Sequence, residues 1–350
     1  MTPRRWMVLV VAVAVLAAAA VVVVWRLRGE DPSRFSAAVA LAPASTERYS
    51  WTDWAGVRDE LGLDLSVDST PDEVTDLLDQ AYDHDLVQMT ALDQSAPNIQ
   101  RALGFSPASI DWELFTQGRD GALVIMGLPA SYDIGRLREQ LRSAGFAEPK
   151  EADGVWEGGV DLLERLGGSI TPELAALQID EEDHLLVGSD DAAFLAQRTD
   201  LARGDEDDAV AEAVAATGPA LSAAAYTGDQ ACSALAMSAA DPADQGRASE
   251  LIKAAGEVHP IAGYASAALP GGDVRVAMAF ETEDQARTDA DTRSRLAAGP
   301  APGQGGSFPD RFRLGKVVAS GSVLTMELHP LPGTFVLSDL TSGPVLFATC

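Results

Sequence analysis

Residues 7–24 form an uninterrupted apolar run, opening on Met7 and closed by Trp25, with Arg4 and Arg5 before it and Arg26 and Arg28 after it. Neither charge nor proline interrupts it. At about 1.5 Å of rise per residue, a helix of this length crosses a hydrocarbon core of about 30 Å. Valine and alanine surround it on every side, so it lacks the polar face that a core helix turns to water. A single membrane-spanning helix over residues 1–28 is therefore expected, with the rest of the chain on one side of the membrane.

A cleaved signal peptide needs small residues directly after its apolar run, and here Trp25, Arg26, Leu27 and Arg28 follow instead. Lipid attachment at the end of the run needs a cysteine there, and the two cysteines are Cys232 and Cys350. Arginines flank both sides almost evenly, which weakens the positive-inside rule. The short head needs no translocation and the acidic body begins at once with Glu30 and Asp31. These features favour a single-pass protein of the plasma membrane, held there through Met7 to Trp25, with its bulk extracytoplasmic.

The chain has 25 basic and 53 acidic residues, a net charge of −28. Four of the arginines flank the apolar run, so the body is more acidic still. Such a surface repels phosphate backbones, and no nucleic-acid partner is expected. In an oxidising compartment Cys232 and Cys350 could pair, tying the C-terminus to an expected strand around Cys232; two free thiols are the alternative.

Hydrophobic periodicity divides the body. Residues 29–44 read as a tether, 45–200 as a first module, 201–218 as a helical connection and 219–350 as a second module. Thr70 and Glu73 form a capping box ahead of a helix over 71–84, whose Val74, Leu77, Leu78 and Ala81 share one face. Strands are expected at 48–52, 109–116, 122–126, 177–180 and 184–188, with a helix at 132–144. The second half repeats the order: a helix at 242–255 capped by Asp241, strands at 261–269 and 274–280, a helix from Thr282 and Gln285 to about Ala298, then strands at 312–320 and 323–329. The leading expectation is an α+β protein: an N-terminal transmembrane helix followed by two repeated modules, each an antiparallel sheet with helices packed on one face; one irregular mixed sheet is the alternative.

No nucleophile elbow, phosphate loop, zinc motif or C-x-x-C spacing occurs. His84, His184, His259 and His329 are scattered. The acidic runs 180–183 and 205–208 lack the spacing of a calcium loop and read as solvated turns. No catalytic residue, metal or cofactor is expected. The aromatic residues Tyr49, Trp51, Trp54, Trp112 and Trp156 are the candidate binding positions, because exposed indoles stack on sugars or anchor partners; at alternating strand positions they more often fill a core.

The alanine-rich acidic body, the anchor, and the phrases Pro43-Ala-Ser-Thr46 before Trp51-Thr-Asp-Trp54 and Ala144-Gly-Phe146 before Asp153-Gly-Val-Trp156 resemble the single-span, membrane-anchored extracytoplasmic proteins of actinobacteria. That resemblance implies a compartment rather than an activity. The leading expectation is a non-enzymatic envelope protein that contacts another protein or envelope component. A carrier or sensor for a small lipid or glycan ligand is the alternative, and a hydrolase of scattered residues is more remote.

Overall fold

Eleven segments rich in alternating apolar residues pair antiparallel into one continuous sheet. In the computed structural model, which describes residues 32–167, 170–204 and 208–350, the strands are β1 (Thr46–Thr52), β2 (Trp112–Gly118), β3 (Ala122–Gly127), β4 (Val155–Glu157), β5 (Ala176–Asp180) and β6 (Leu185–Ser189) in the first half. The second half supplies β7 (Ser222–Thr227), β8 (Gly263–Ala268), β9 (Val274–Ala279), β10 (Phe312–Ser320) and β11 (Val323–Pro330). Their order is β10-β11-β9-β8-β7-β1-β2-β3-β6-β5-β4. Outward from the centre both halves run the same way, a three-strand meander followed by a returning hairpin, to which the first half adds β4 at its edge. The first strands of the two halves, β1 and β7, pair with each other, from Arg48 opposite Tyr226 to Thr52 opposite Ser222.

Thirteen α-helices among the described residues complete the architecture. The first half carries α1 (Arg34–Val39), α2 (Trp54–Leu61), α3 (Pro71–Asp83), α4 (Ala96–Leu103), α5 (Ile134–Ala144), α6 (Val160–Gly167), α7 (Ala192–Leu195) and α8 (Arg198–Leu201). Then come α9 (Ala209–Thr217), α10 (Gly228–Ala234), α11 (Pro242–Ala255), α12 (Glu283–Ala297) and α13 (Val336–Thr341). Both expected capping boxes form: Thr70 with Glu73 starts α3, and Thr282 with Gln285 starts α12.

Two separate modules, each covered on one face, do not form. The halves share one sheet, and helices cover both of its sides. One apolar layer joins Leu77, Leu103, Leu137, Leu296 and Leu337 of the larger helical layer to Val124, Met126, Val276, Met278 and Met326 of the strands. On the opposite face Phe35, Val39, Phe194, Val214 and Val210 pack against Trp51, Leu114, Ile125 and a floor of six alanines: Ala223, Ala225, Ala265, Ala267, Ala277 and Ala279. Alternate residues of each central strand thus serve opposite layers, which is why β7 and β8 are buried almost throughout. The expected membrane span over residues 7–25 lies outside the described residues; among those described, no helix is long and apolar enough to cross a membrane.

The alanine floor brings α9 close to the sheet. A Cβ at Gly263 would lie 2.2 Å from the Ala209 carbonyl oxygen, so only glycine permits that approach. Residues 34–39, expected within a tether, instead bury Phe35, Ala38 and Val39. Cys232 and Cys350 form a disulfide across 118 residues. Cys232 lies on α10 rather than on a strand.

Two polar devices fasten the C-terminal part of the chain to this frame. Asp85, in the left-handed region at φ 60°, accepts hydrogen bonds from the amides of Leu337 (2.6 Å) and Ser338 (3.2 Å) and from the Ser338 hydroxyl, capping α13 from the other half of the molecule. Arg293, fully buried, donates to Asp289 Oδ1 (2.6 Å), to the carbonyls of Phe347 and Thr349 (both 2.8 Å) and to the carbonyl of His259 (2.7 Å). Asp289 in turn lies 2.6 Å from His259 Nδ1.

Candidate functional site

The aromatic residues singled out in the sequence do not meet at one site: Tyr49, Trp51 and Trp112 lie on one face of the sheet, Trp54 and Trp156 in the layer on the other. Trp51 is buried on the alanine-floored face, between Phe35 (5.3 Å between ring centroids) and Trp112 (5.5 Å), with its Nε1 donating to the Ala220 carbonyl at 3.0 Å. Tyr49 shares that face; its hydroxyl accepts from Arg203 Nη1 at 2.8 Å, and burial pushes it up to about 12. Trp112 is half-buried and lies over Gly127, where a Cβ would fall 2.1 Å from its indole nitrogen. Trp54 and Trp156 are buried in the opposite layer. Trp54 Nε1 donates to Glu113 Oε2 at 3.1 Å, and Trp156 sits on the edge strand β4 opposite Leu177.

His84, His259, His329 and the acidic turn at 180–183 are held by local partners, while His184 Nδ1 is buried without one; residues 205–207 of the second acidic run lie outside the described residues. His84 Nδ1 lies 2.8 Å from the Gln80 carbonyl, and His329 Nδ1 2.8 Å from Asp273 Oδ1. Asp180 accepts from the Asp183 amide (3.1 Å) and from Arg198 (2.7 Å), closing the acidic turn on itself. Among the described residues no cluster of His, Cys, Asp or Glu could hold a metal ion.

A different set of residues forms a concave site. In the first half, α2, the loop at residues 65–67, the turn at 106–110 and the start of α5 enclose a cavity of about 290 Å³. Each wall has a local cause. Gln100 of α4 donates to the carbonyls of Val67 and Ser69, both at 2.9 Å, and so pins the 65–69 loop. Asp133 caps α5 by accepting from the Arg136 amide at 2.9 Å. Arg136 then reaches across to Asp68 at 2.8 Å, bridging α5 to that loop. Tyr132 donates its hydroxyl to the Gly104 carbonyl at 3.2 Å, and burial raises it to about 12.

Arg58 gives the cavity its charge. Its Nη1 donates to the carbonyls of Pro107 (2.5 Å) and Ile110 (2.8 Å), which fixes the guanidinium in place. Among the described residues Nε and Nη2 have no acceptor, and no carboxylate lies within ion-pair distance of the guanidinium. Burial acts to lower its pKa, while Asp111, Asp59 and Asp53 oppose that from a distance. Across the cavity, Gln140 Oε1 is buried and has no hydrogen-bond partner. The Gln140 amide lies against Gly104, where a Cβ would fall 2.0 Å from Oε1. Leu65, Val67, Ala108, Pro129 and Leu137 supply the apolar wall. The site therefore combines a fixed guanidinium, hydroxyl groups and an apolar surface, a set of groups that can hold an anionic ligand.

None of these residues stands out in the sequence, because Arg58, Arg136 and Gln140 fall on ordinary helix positions. The available signal was an arginine on a short helix with apolar neighbours, in a chain otherwise dominated by carboxylates.

No protein-family model matches the chain, and no curated protein matches it in sequence. Crystal forms I and III of TP0453 are similar to it over 89% of this chain and 98% of theirs, with TM-scores of 0.38 and 0.37 and sequence identities of 8% and 9%.

Proposed function

We propose that this chain is a non-enzymatic binding protein of the cell envelope, attached to the plasma membrane through residues 7–25, which holds a small ligand in the cleft between α2 and α5. The observation that carries this reading is the cavity, with a fixed arginine on one wall whose remaining N–H groups have no acceptor among the described residues. A ligand oxyanion supplies what the protein does not. The Cys232–Cys350 disulfide supports an extracytoplasmic location, because such bonds persist where thiols are not kept reduced.

The test is native mass spectrometry of the full chain purified from its own membranes, paired with protease accessibility in intact spheroplasts. A small molecule released on denaturation, and a body cleaved from outside, support the proposal. A body protected from external protease overturns the location, and a chain that releases nothing counts against the binding role.

Presentation of a surface to another envelope protein is the second reading. Tyr82, exposed on α3 with its ring 5.5 Å from that of Phe335, is where such a partner would anchor. The other large exposed apolar residue among those described is Val160, on a different helix. Two separate residues do not make the contiguous apolar patch that marks a docking face, so the cavity has the stronger claim.

A further inference from the structure

The cavity beside Arg58 also constrains what it accepts. We infer that its ligand is a hydroxylated organic anion of about hexose size, bound through a carboxylate or phosphate at Arg58, with its hydroxyls among Ser66, Ser109 and Ser131. This rests on the binding role proposed above and adds the chemical class.

The argument begins with the free donors. Arg58 is half-buried, held by two backbone carbonyls at 2.5 and 2.8 Å, and its remaining N–H groups have no acceptor among the described residues. A guanidinium fixed in this way is pre-organised, so little side-chain freedom is lost when it binds an oxyanion with its planar fork. Arg136 lies on the same cavity and engages Asp68 through Nη1 alone, at 44% side-chain exposure. Arg58 and Arg136 stand on facing walls, on α2 and α5; Asp133 lines the cavity beside Arg136, and Asp68 pairs with Arg136, so Arg58 is the cation of the lining without a carboxylate partner among the described residues.

The rest of the lining sets the second requirement. Ser66, Ser109 and Ser131 line the space and take ligand hydroxyls in either role. Size gives the third requirement. About 290 Å³ is roughly the volume of ten water molecules, room for one sugar ring with an acidic substituent. The apolar patch of Leu65, Val67, Pro129 and Leu137 suits the C–H face of such a ring.

Titration of the full chain in detergent with glucuronate, glucose 6-phosphate and glucose, read by calorimetry, tests the inference. The two anionic sugars are expected to bind at least tenfold more tightly than glucose, and the tighter of the two identifies carboxylate or phosphate as the group at Arg58. Arg58→Gln should remove the discrimination. Because Arg58 also supports the 106–110 turn, Ser131→Trp provides an independent variant: it fills the exposed cavity mouth and should abolish binding of all three sugars. Equal affinity for glucose and glucuronate overturns the ligand class while leaving the binding role standing. Failure of all three sugars overturns the class as well; the binding role falls with it only if native mass spectrometry also finds no released molecule.

Discussion

The indole nitrogen of Trp54 donates to Glu113 Oε2 at 3.1 Å, inside the apolar layer between sheet and helices. The same carboxylate accepts from the Thr90 hydroxyl and the Ala91 amide, both at 2.6 Å. A single buried acid on β2 thus ties the start of α2 to the loop that follows α3.

Burial raises the Glu113 carboxyl from 4.5 to about 6, against the lowering effect of its three donors. The folded state therefore holds the proton more tightly than the unfolded chain. The stabilisation from protonation is complete below about pH 4.5 and is lost as the pH rises through 6, an effect of about 2 kcal/mol. Urea unfolding of the wild type and Glu113→Gln at pH 4.5 and pH 7 checks this. The difference between the two pH values should be smaller by about that amount in the variant; identical pH dependence would refute the assignment.

Arg293 and the disulfide hold the same stretch of chain. Arg293→Met leaves Asp289 buried without its cation and frees the carbonyls of Phe347 and Thr349, so a loss of about 3–5 kcal/mol is expected. Replacing both Cys232 and Cys350 by serine should cost about 4 kcal/mol, from the loop of 118 residues that the bond closes. Because both act on residues 347–350, the combined variant should lose less than the sum. Strict additivity in urea unfolding would contradict a shared latch.

Gly263→Ala places a methyl 2.2 Å from the Ala209 carbonyl oxygen, a backbone atom that cannot rotate away. Helix α9 must lift from its alanine floor, at a cost of about 1–3 kcal/mol. Gly246→Ala, on α11 with open space around it, serves as the control and should leave the melting temperature unchanged or raise it.

Asp85→Ala removes the cap that the first half places on α13, with an expected loss of about 1–2 kcal/mol. Hydrogen exchange at Leu337 and Ser338 should accelerate before the rest of the protein opens. Unchanged protection at those two amides would show that the cap contributes nothing.

Element positions were largely legible in the sequence because capping and periodicity are local signals. Pro71–Asp83 and Glu283–Ala297 follow directly from Thr70 with Glu73 and Thr282 with Gln285. The strand that decides the architecture was not legible. Ser222–Thr227 reads SAAAYT, and alanine carries little strand signal because its packing value depends on the helix laid against it. Without β7, nothing in the pattern joins β1 to the second half, so two modules were expected where there is one sheet. The cavity was hidden for a related reason. Arg58, Val67, Ser109 and Gln140 meet only after α2, α4 and α5 pack, and each alone resembles an ordinary surface or core position.

The pairing of β1 with β7 also sets an order of events during synthesis. The strand destined for the middle of the sheet is the first to be made, yet one of its edges has no partner until residues 222–227 follow, some 170 positions later. Contacts of such long sequence separation form slowly. Until they do, β1 presents unpaired amides and carbonyls to its surroundings, the configuration most prone to wrong partners. The first half thus cannot finish alone: its central edge is closed only by its counterpart, and arrest or truncation before residue 222 should yield a chain that aggregates instead of a smaller folded protein.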